Sequence, residues 1–123
     1  MTKVTKSVEI DAPPEEVFTF INDMEKMNAA CKGSTEGKYT SRGPVGVGTT
    51  MHFVGKAGSI QAEFDMEITE FVRNTKVAAR AIGESKFKVN ISRTLEPTAK
   101  GTKLTNTADY ELSYSILGKI VDS

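Results

Sequence analysis

The sequence predicts an α+β domain in which an antiparallel meander forms one sheet with a single apolar face. Apolar and polar side chains alternate over residues 60–69, which is the period-two pattern of a half-buried strand. The same alternation recurs over residues 87–95 and 104–112, whereas residues 12–27 carry apolar side chains at helical spacing. A sheet of this kind needs a second layer to cover its apolar face.

The beginning of the chain predicts one strand and two short helices. Residues 3–11 alternate as a strand, and Pro13 and Pro14 then end it and start a helix, because proline is tolerated in a first helical turn. Glu15 and Glu16 follow, where negative charge favours the positive end of the helix dipole. Asp23 is a suitable cap for the second helix. Residues 38–42 then predict a weak strand.

The remaining hairpins can be placed in register by requiring their apolar faces to match. On the inner face, the predicted pairs are Phe53 with Ala62, Met51 with Phe64, Ile68 with Ala79, Met66 with Ala81, Ala81 with Phe87, Ala79 with Val89, Leu95 with Leu104, Arg93 with Asn106, Ile91 with Ala108, and Val89 with Tyr110. On the outer face they are Glu63 with His52, Glu67 with Arg80, and Lys88 with Glu111. All four hairpins agree on which face is inside, which supports the meander.

Composition restricts the possible functions. The 123 residues predict a single domain, 1–123, and sixteen basic residues balance sixteen acidic ones, so no net field attracts nucleic acid. One cysteine and one histidine cannot supply the three or four ligands of a metal site, and we expect no cofactor. The chain's first sixteen residues contain no apolar core of signal-peptide length, and no stretch approaches the length of a membrane span, so we expect neither a signal peptide nor a membrane-spanning segment. We therefore expect a cytoplasmic protein.

The order and spacing of several motifs resemble the START-like, or Bet v 1-like, helix-grip proteins of the polyketide cyclase/dehydrase type (SRPBCC). The matching stretches are VEIDAPPEEVFTFINDMEKM, VGVGTTM, ITEFVRNTKVAARAIG, LEPTAKGTKLTNTADYEL and SILGKIVDS. The resemblance spans nearly the whole chain. It implies a curved antiparallel sheet of about seven strands, in β-α-α-β6-α order, that grips a C-terminal helix. It also implies a hydrophobic cavity between sheet and helix, suited to lipid or other ligand binding.

Two features depart from the family pattern. Phe18 stands where many relatives carry a tryptophan. The C-terminal helix, from about residue 114, has room for only about eight residues, which span about 12 Å or roughly half of a sheet. This helix is therefore expected to be truncated, naturally short, or supplemented by a second subunit, and a homodimer would cover the open sheet face.

Small inward residues favour a cavity over a filled interior. Ala62, Ala79, Ala81 and Ala108 occupy predicted inward positions, where strands usually place larger side chains. The alternative is that the rings of Phe53, Phe64 and Phe87 fill this space. We favour the cavity, because natural interiors are close-packed and seldom leave such volume unused.

Three polar residues on the inward face are candidates for binding a polar head group. The guanidinium of Arg93, with the amide of Asn106 and the phenol of Tyr110 nearby, could orient a carboxylate, a carbonyl or a phosphate. The alternative is that Arg93 lies near its strand end and extends to solvent.

The function that we predict is the binding or transport of a hydrophobic or amphipathic small molecule. The candidate cavity residues are Met51, Phe53, Phe64, Met66, Ala79, Ala81, Phe87, Val89, Ile91, Arg93, Asn106, Ala108, Tyr110 and Leu117. One alternative is a cyclase or dehydratase in which Tyr110 or Arg93 polarises a carbonyl, although no inward Asp, Glu or His offers a base. A second is a protein-interaction module that uses the exposed sheet face. No catalytic residue is predicted, since His52 is expected to point outward and Cys31 to lie in a loop.

Overall fold

The computed structural model describes residues 2–30, 35–57, 59–83 and 87–112. Its elements are β1 (Thr2–Ile10), α1 (Pro14–Ile21), α2 (Met24–Ala30), β2 (Thr35–Tyr39), β3 (Thr50–Ala57), β4 (Ile60–Val72), β5 (Lys76–Ile82), β6 (Phe87–Thr98) and β7 (Gly101–Leu112). The strands form one antiparallel sheet in the order β1-β7-β6-β5-β4-β3-β2. The predicted α+β class, with seven strands and two short helices after the first strand, is confirmed. The predicted C-terminal helix lies outside the described residues.

Both helices begin where the sequence predicts. Pro14 opens α1, and Glu15 and Glu16 lie in its first turn. A carboxylate oxygen of Asp23 accepts a hydrogen bond from the backbone N–H of Lys26 at 3.1 Å, which caps α2. Neither helix is long and apolar enough to cross a membrane.

The second strand differs from its prediction. The sequence predicts a strand over residues 38–42, but β2 covers Thr35–Tyr39. Hydrogen bonds from α2 explain the earlier start: the Asn28 side chain donates to the Gly37 carbonyl and accepts from the Gly37 N–H, both at 2.8 Å. This pair of bonds fixes the middle of β2 beside α2.

The buried apolar residues form two clusters that meet between α1 and β5. The first joins α1 to β6 and β7 and contains Val17, Phe18, Ile21, Leu95 and Leu104. The second lies on β3, β4 and β5 and contains Met51, Met66, Ile68 and Ala79. Phe71 and Val77 pack against both clusters. The ring of Phe18 lies edge-on to that of Phe71, with centroids 5.1 Å apart, so phenylalanine serves the core at this position.

Two of the four predicted hairpin registers are confirmed. The confirmed pairs are Leu95 with Leu104, Arg93 with Asn106, Ile91 with Ala108, Val89 with Tyr110, Ile68 with Ala79, and Met66 with Ala81. In the hairpin of β4 and β5, the pairs next to the turn are offset by one residue from the prediction, and a bulge corrects the offset further along the strands. Val72 pairs with Lys76 across a three-residue turn that contains Asn74 at φ 60°, and a bulge between Ile68 and Glu70 restores the expected pairing.

The other two registers are wrong by two residues. Phe53 lies opposite Phe64 and not Ala62, Met51 lies opposite Met66 and not Phe64, and Ala79 lies opposite Ile91 and not Val89. The last shift is also incompatible with the predicted pairing of Ala81 with Phe87. Matching apolar faces cannot distinguish registers that differ by two residues, because a shift of two residues leaves the same side chains facing inward. The position of the turn decides the rest, and Ala57 pairs with Ile60, so the first turn begins one residue later than predicted.

A buried hydroxyl anchors the segment between β1 and α1 to the sheet. The Thr102 side chain is fully buried and donates a hydrogen bond of 2.7 Å to the carbonyl of Ala12. Gly101 precedes it at φ 148°, and a Cβ there would lie 2.8 Å from that same carbonyl oxygen. The chain therefore approaches β7 closely before α1 begins, and this contact sets the starting point of the helix.

We predict that Gly37→Ala destabilises the protein. A Cβ at Gly37 would lie 2.5 Å from a ring carbon of Phe53, its partner on β3, and 2.9 Å from the sulfur of Met24. We expect the free energy of unfolding to fall by about 1–3 kcal/mol in urea denaturation. Gly55→Ala is the matched control, because nothing lies within 4 Å of a Cβ there. Equal effects of the two substitutions would contradict the close approach at Gly37.

Candidate functional site

A cavity of about 380 Å³ lies between the two helices and the part of the sheet formed by β6, β7 and the end of β1. We call it the main cavity, and its volume falls in the range of small-molecule sites. Most of its described lining is apolar. The lining residues are Ile10, Ala12, Glu16, Val17, Phe20, Ile21, Met27, Ala30, Arg93, Leu104 and Asn106.

Packing of α1 on the sheet leaves this cavity beside it. Val17, Phe18 and Ile21 are buried against β6 and β7, and the contact of Ala12 with Thr102 holds the helix start. Phe20 also lines the cavity, yet 41% of it is exposed to solvent. Glu16, Ala30 and Asn106 in the lining are exposed as well, so the cavity is open to solvent.

A second cavity of about 70 Å³ adjoins the first, and we call it the small cavity. The two share Ile21, Met27 and Arg93 as lining residues. The rest of the small cavity is lined by Asn22, Met24, Tyr39, Met51, Phe53, Ile68, Val77, Ala79 and Ile91. Arg93 therefore belongs to the wall between the two spaces.

Polar groups gather near this shared wall. Arg93 of β6 lies directly opposite Asn106 of β7, and both line the main cavity. Tyr39 lines the small cavity, and its hydroxyl donates a hydrogen bond of 2.8 Å to the carbonyl of Asn22. Burial raises the pKa of Tyr39 above its usual value; the positive charge of Arg93 opposes this shift and the negative charge of Asp23 adds to it. The phenol therefore stays protonated and neutral near pH 7.

The predicted cavity residues and inward alanines lie in several different places in the structure. Arg93 and Asn106 line the main cavity, and Met51, Phe53, Ala79, Ile91 and Arg93 line the small one. Phe64, Met66 and Val89 belong to the β3–β5 cluster or pack against it, and Ala62, Ala81 and Ala108 are half-buried. Phe87 and Tyr110 are described only by their strand pairing, opposite Leu112 and Val89. Leu117 lies outside the described residues. Of the four inward alanines, Ala79 alone lines either of these cavities.

Most of the main-cavity lining was not predicted from the sequence. The missed residues are Ile10, Ala12, Glu16, Val17, Phe20, Ile21, Met27, Ala30 and Leu104. One signal was present in α1, where Val17, Phe18, Phe20 and Ile21 form an apolar surface wider than a helix needs to pack on a sheet. Phe20 is the apolar residue of α1 that is not buried against the sheet, and it lines the cavity.

His52 lies on the outer face of the sheet, away from both cavities. Its Nδ1 is 2.8 Å from a carboxylate oxygen of Asp65, and its Nε2 is 3.4 Å from one of Glu63. Asp65 is its direct partner across the strands, so the predicted pairing with Glu63 is wrong by two residues. These hydrogen bonds, led by the one to Asp65, raise the pKa of His52 above 6.5. Within the described residues, no group of three or more His, Cys, Asp or Glu side chains is placed to hold a metal ion.

Comparisons with known proteins support the fold. A family model described as polyketide cyclase / dehydrase and lipid transport matches residues 1–122. The structure of TTHA0849 from Thermus thermophilus is similar at a TM-score of 0.82, with 23% identity over 98% of this chain and 82% of that one. For DR_A0006 from Deinococcus radiodurans the TM-score is 0.74, with 13% identity over 98% and 92% of the two chains. Ara h 8.0201 is similar at a TM-score of 0.65, with 14% identity over 92% and 78%. No protein of curated function matches the sequence.

We predict that His52 makes stability depend on pH near neutrality. Its pKa in the folded protein lies above the ordinary 6.5, so its contribution is fully present below about 6.5 and is lost as the pH rises through the folded pKa. NMR titration of this single histidine should show a pKa that falls back toward 6.5 in Asp65→Asn. Glu15→Gln, on α1, removes the same charge elsewhere and should leave the pKa unchanged. An unaltered pKa in Asp65→Asn would contradict the assignment.

Proposed function

The chain belongs to the polyketide cyclase / dehydrase and lipid transport family, and on that premise we propose that it binds or transports a hydrophobic or amphipathic small molecule. The ligand would occupy the main cavity, between the helices and the sheet. The family description covers both ligand transport and catalysis, so the choice between them rests on the residues of this site.

The observation that supports binding most strongly is a largely apolar cavity of about 380 Å³ that is open to solvent. Burial of ligand surface contributes about 25 cal/mol per Å² of apolar area. A ligand that covers a few hundred Å² of this lining would therefore gain more free energy from apolar contact than from one or two hydrogen bonds. Met27, with its flexible thioether side chain, can adapt to ligands of different shape.

A second candidate is an enzyme of the cyclase or dehydratase kind, which one residue favours. Glu16 lines the main cavity and supplies a carboxylate that could accept a proton from a bound substrate. In the sequence, Glu16 is explained by the helix dipole alone, so it does not stand out as an inward base. Turnover that is lost in Glu16→Gln while ligand binding is retained would favour the enzyme.

We predict that a ligand co-purifies with the protein. Organic extraction followed by mass spectrometry should recover an apolar or amphipathic molecule in stoichiometric amount, because water in an apolar cavity is readily displaced. Denatured protein carried through the same extraction is the control. Recovery of no ligand, together with a stable dimer in light scattering, would instead favour an interaction module that uses the sheet face.

We predict that Ala30→Trp weakens ligand uptake and Ala29→Trp does not. Both alanines are exposed and adjacent on α2, but only Ala30 lines the main cavity. A bulky ring at residue 30 should compete with the ligand for space and weaken its binding about tenfold, as expected for overpacking by 1–3 kcal/mol. Isothermal titration calorimetry measures the affinity of each variant for the ligand. Urea denaturation should show similar free energies of unfolding for the two variants. Equal affinities would contradict a ligand site beside Ala30.

A further inference from the structure

We propose that the ligand of the main cavity is an amphipathic anion whose carboxylate binds Arg93 at the wall between the two cavities. The apolar part of the ligand would fill the main cavity. This inference rests on the proposed function, and it adds the charge class of the ligand and the residue that selects it.

The position of Arg93 in the sheet supports a ligand-facing role. Its neighbours on the same face of β6 are Leu95, which is 3% exposed, and the half-buried Ile91. Arg93 is thus flanked by apolar side chains within the strand and is not at its end. The cavity that it lines is mostly apolar, so a charge there interacts more strongly with an ion of opposite sign than it would in water.

The chemistry of Arg93 suits a carboxylate. Its planar guanidinium offers five N–H donors, and two of them can engage both oxygens of a carboxylate at once. Arg93 already interacts with other groups of the protein. Because its guanidinium has five N–H donors, it can keep such interactions and still donate hydrogen bonds to a ligand. Asn106, directly opposite on β7, adds an amide donor at the same level of the cavity.

Arg93 and Glu16 place opposite charges on opposite walls of the main cavity. Tyr39 stays neutral because burial raises its pKa, and the Asp23 carboxylate caps α2 through the N–H of Lys26. Glu16 is the only carboxylate in the described lining of the main cavity, and it is exposed on α1. Its negative charge lies on the helix wall, across from the sheet. The cavity therefore favours an anionic group against the sheet and disfavours one against α1.

Three probes of equal chain length test this inference by isothermal titration calorimetry: dodecanoate, dodecanol and dodecylammonium. We expect the wild-type protein to bind dodecanoate at least about tenfold more tightly than dodecanol, which is the usual range for a hydrogen-bonded charge pair. In Arg93→Gln the difference between the affinities for dodecanoate and dodecanol should disappear. Arg93→Lys keeps the positive charge but lacks the planar guanidinium, so the preference for dodecanoate over dodecanol should be partly retained.

Arg80→Gln is the matched control. It removes the same charge from the neighbouring strand, but Arg80 points away from the cavity and pairs with Glu67 at 3.5 Å on the outer face. It should leave the preference for dodecanoate intact. The comparison of probes on the wild-type protein needs no variant, so it stands even if Arg93→Gln folds poorly.

The outcomes separate this inference from the proposed function. Equal affinity of the wild-type protein for dodecanoate and dodecanol would overturn the anionic class and leave the cavity function standing. Tightest binding of dodecylammonium would also overturn it and would point to Glu16. A preference for dodecanoate that survives in Arg93→Gln would overturn the role of Arg93. Failure of all three probes to bind would overturn the inference and count against the proposed function as well.

Discussion

The packing of α1 on β6 and β7 determines where the apolar face of the sheet is covered and where it stays open. Val17 and Ile21 bury their side chains against Leu95 and Leu104, which excludes water from one end of the sheet. The helix is short, because α1 contains eight residues, about 12 Å of length. It covers its own contact area and leaves space beside it, and the main cavity is that space.

The second helix, α2, forms another wall of the cavity and is positioned by polar contacts as well as by apolar packing. No residue of α2 is fully buried, but Met24 and Met27 each pack against one of the two apolar clusters. The helix is also held by the two hydrogen bonds between Asn28 and Gly37, and the hydroxyl of Tyr39 donates a hydrogen bond to the carbonyl of Asn22 just before it. Polar contacts with an edge strand thus help to position the side of the cavity that contains Met27.

The sequence was sufficient to predict the faces of the strands but not all of their partners. Alternation places Met66 and Ile68 inside without ambiguity, and Leu95 and Leu104 pair as predicted. The pairing of Phe53 depended on the turn, whose position polar residues alone did not reveal. Arg93 and Asn106 were found because polar residues at inward positions are conspicuous. The helical lining was missed because Phe20 and Met27 look like ordinary core residues until their distance from the sheet is known.

The pairing of β1 with β7 has a consequence for biosynthesis. Thr102 and Ala12, which join these parts of the chain, are separated by 90 positions in the sequence. Contacts between such distant segments form late and slowly, because a large loop must close first. As the ribosome releases the chain, the hairpins between β3 and β6 can assemble while the first strand still lacks its neighbour. Ile10 and Leu104 meet only after β7 emerges, so the pocket cannot be completed before β7 has left the ribosome.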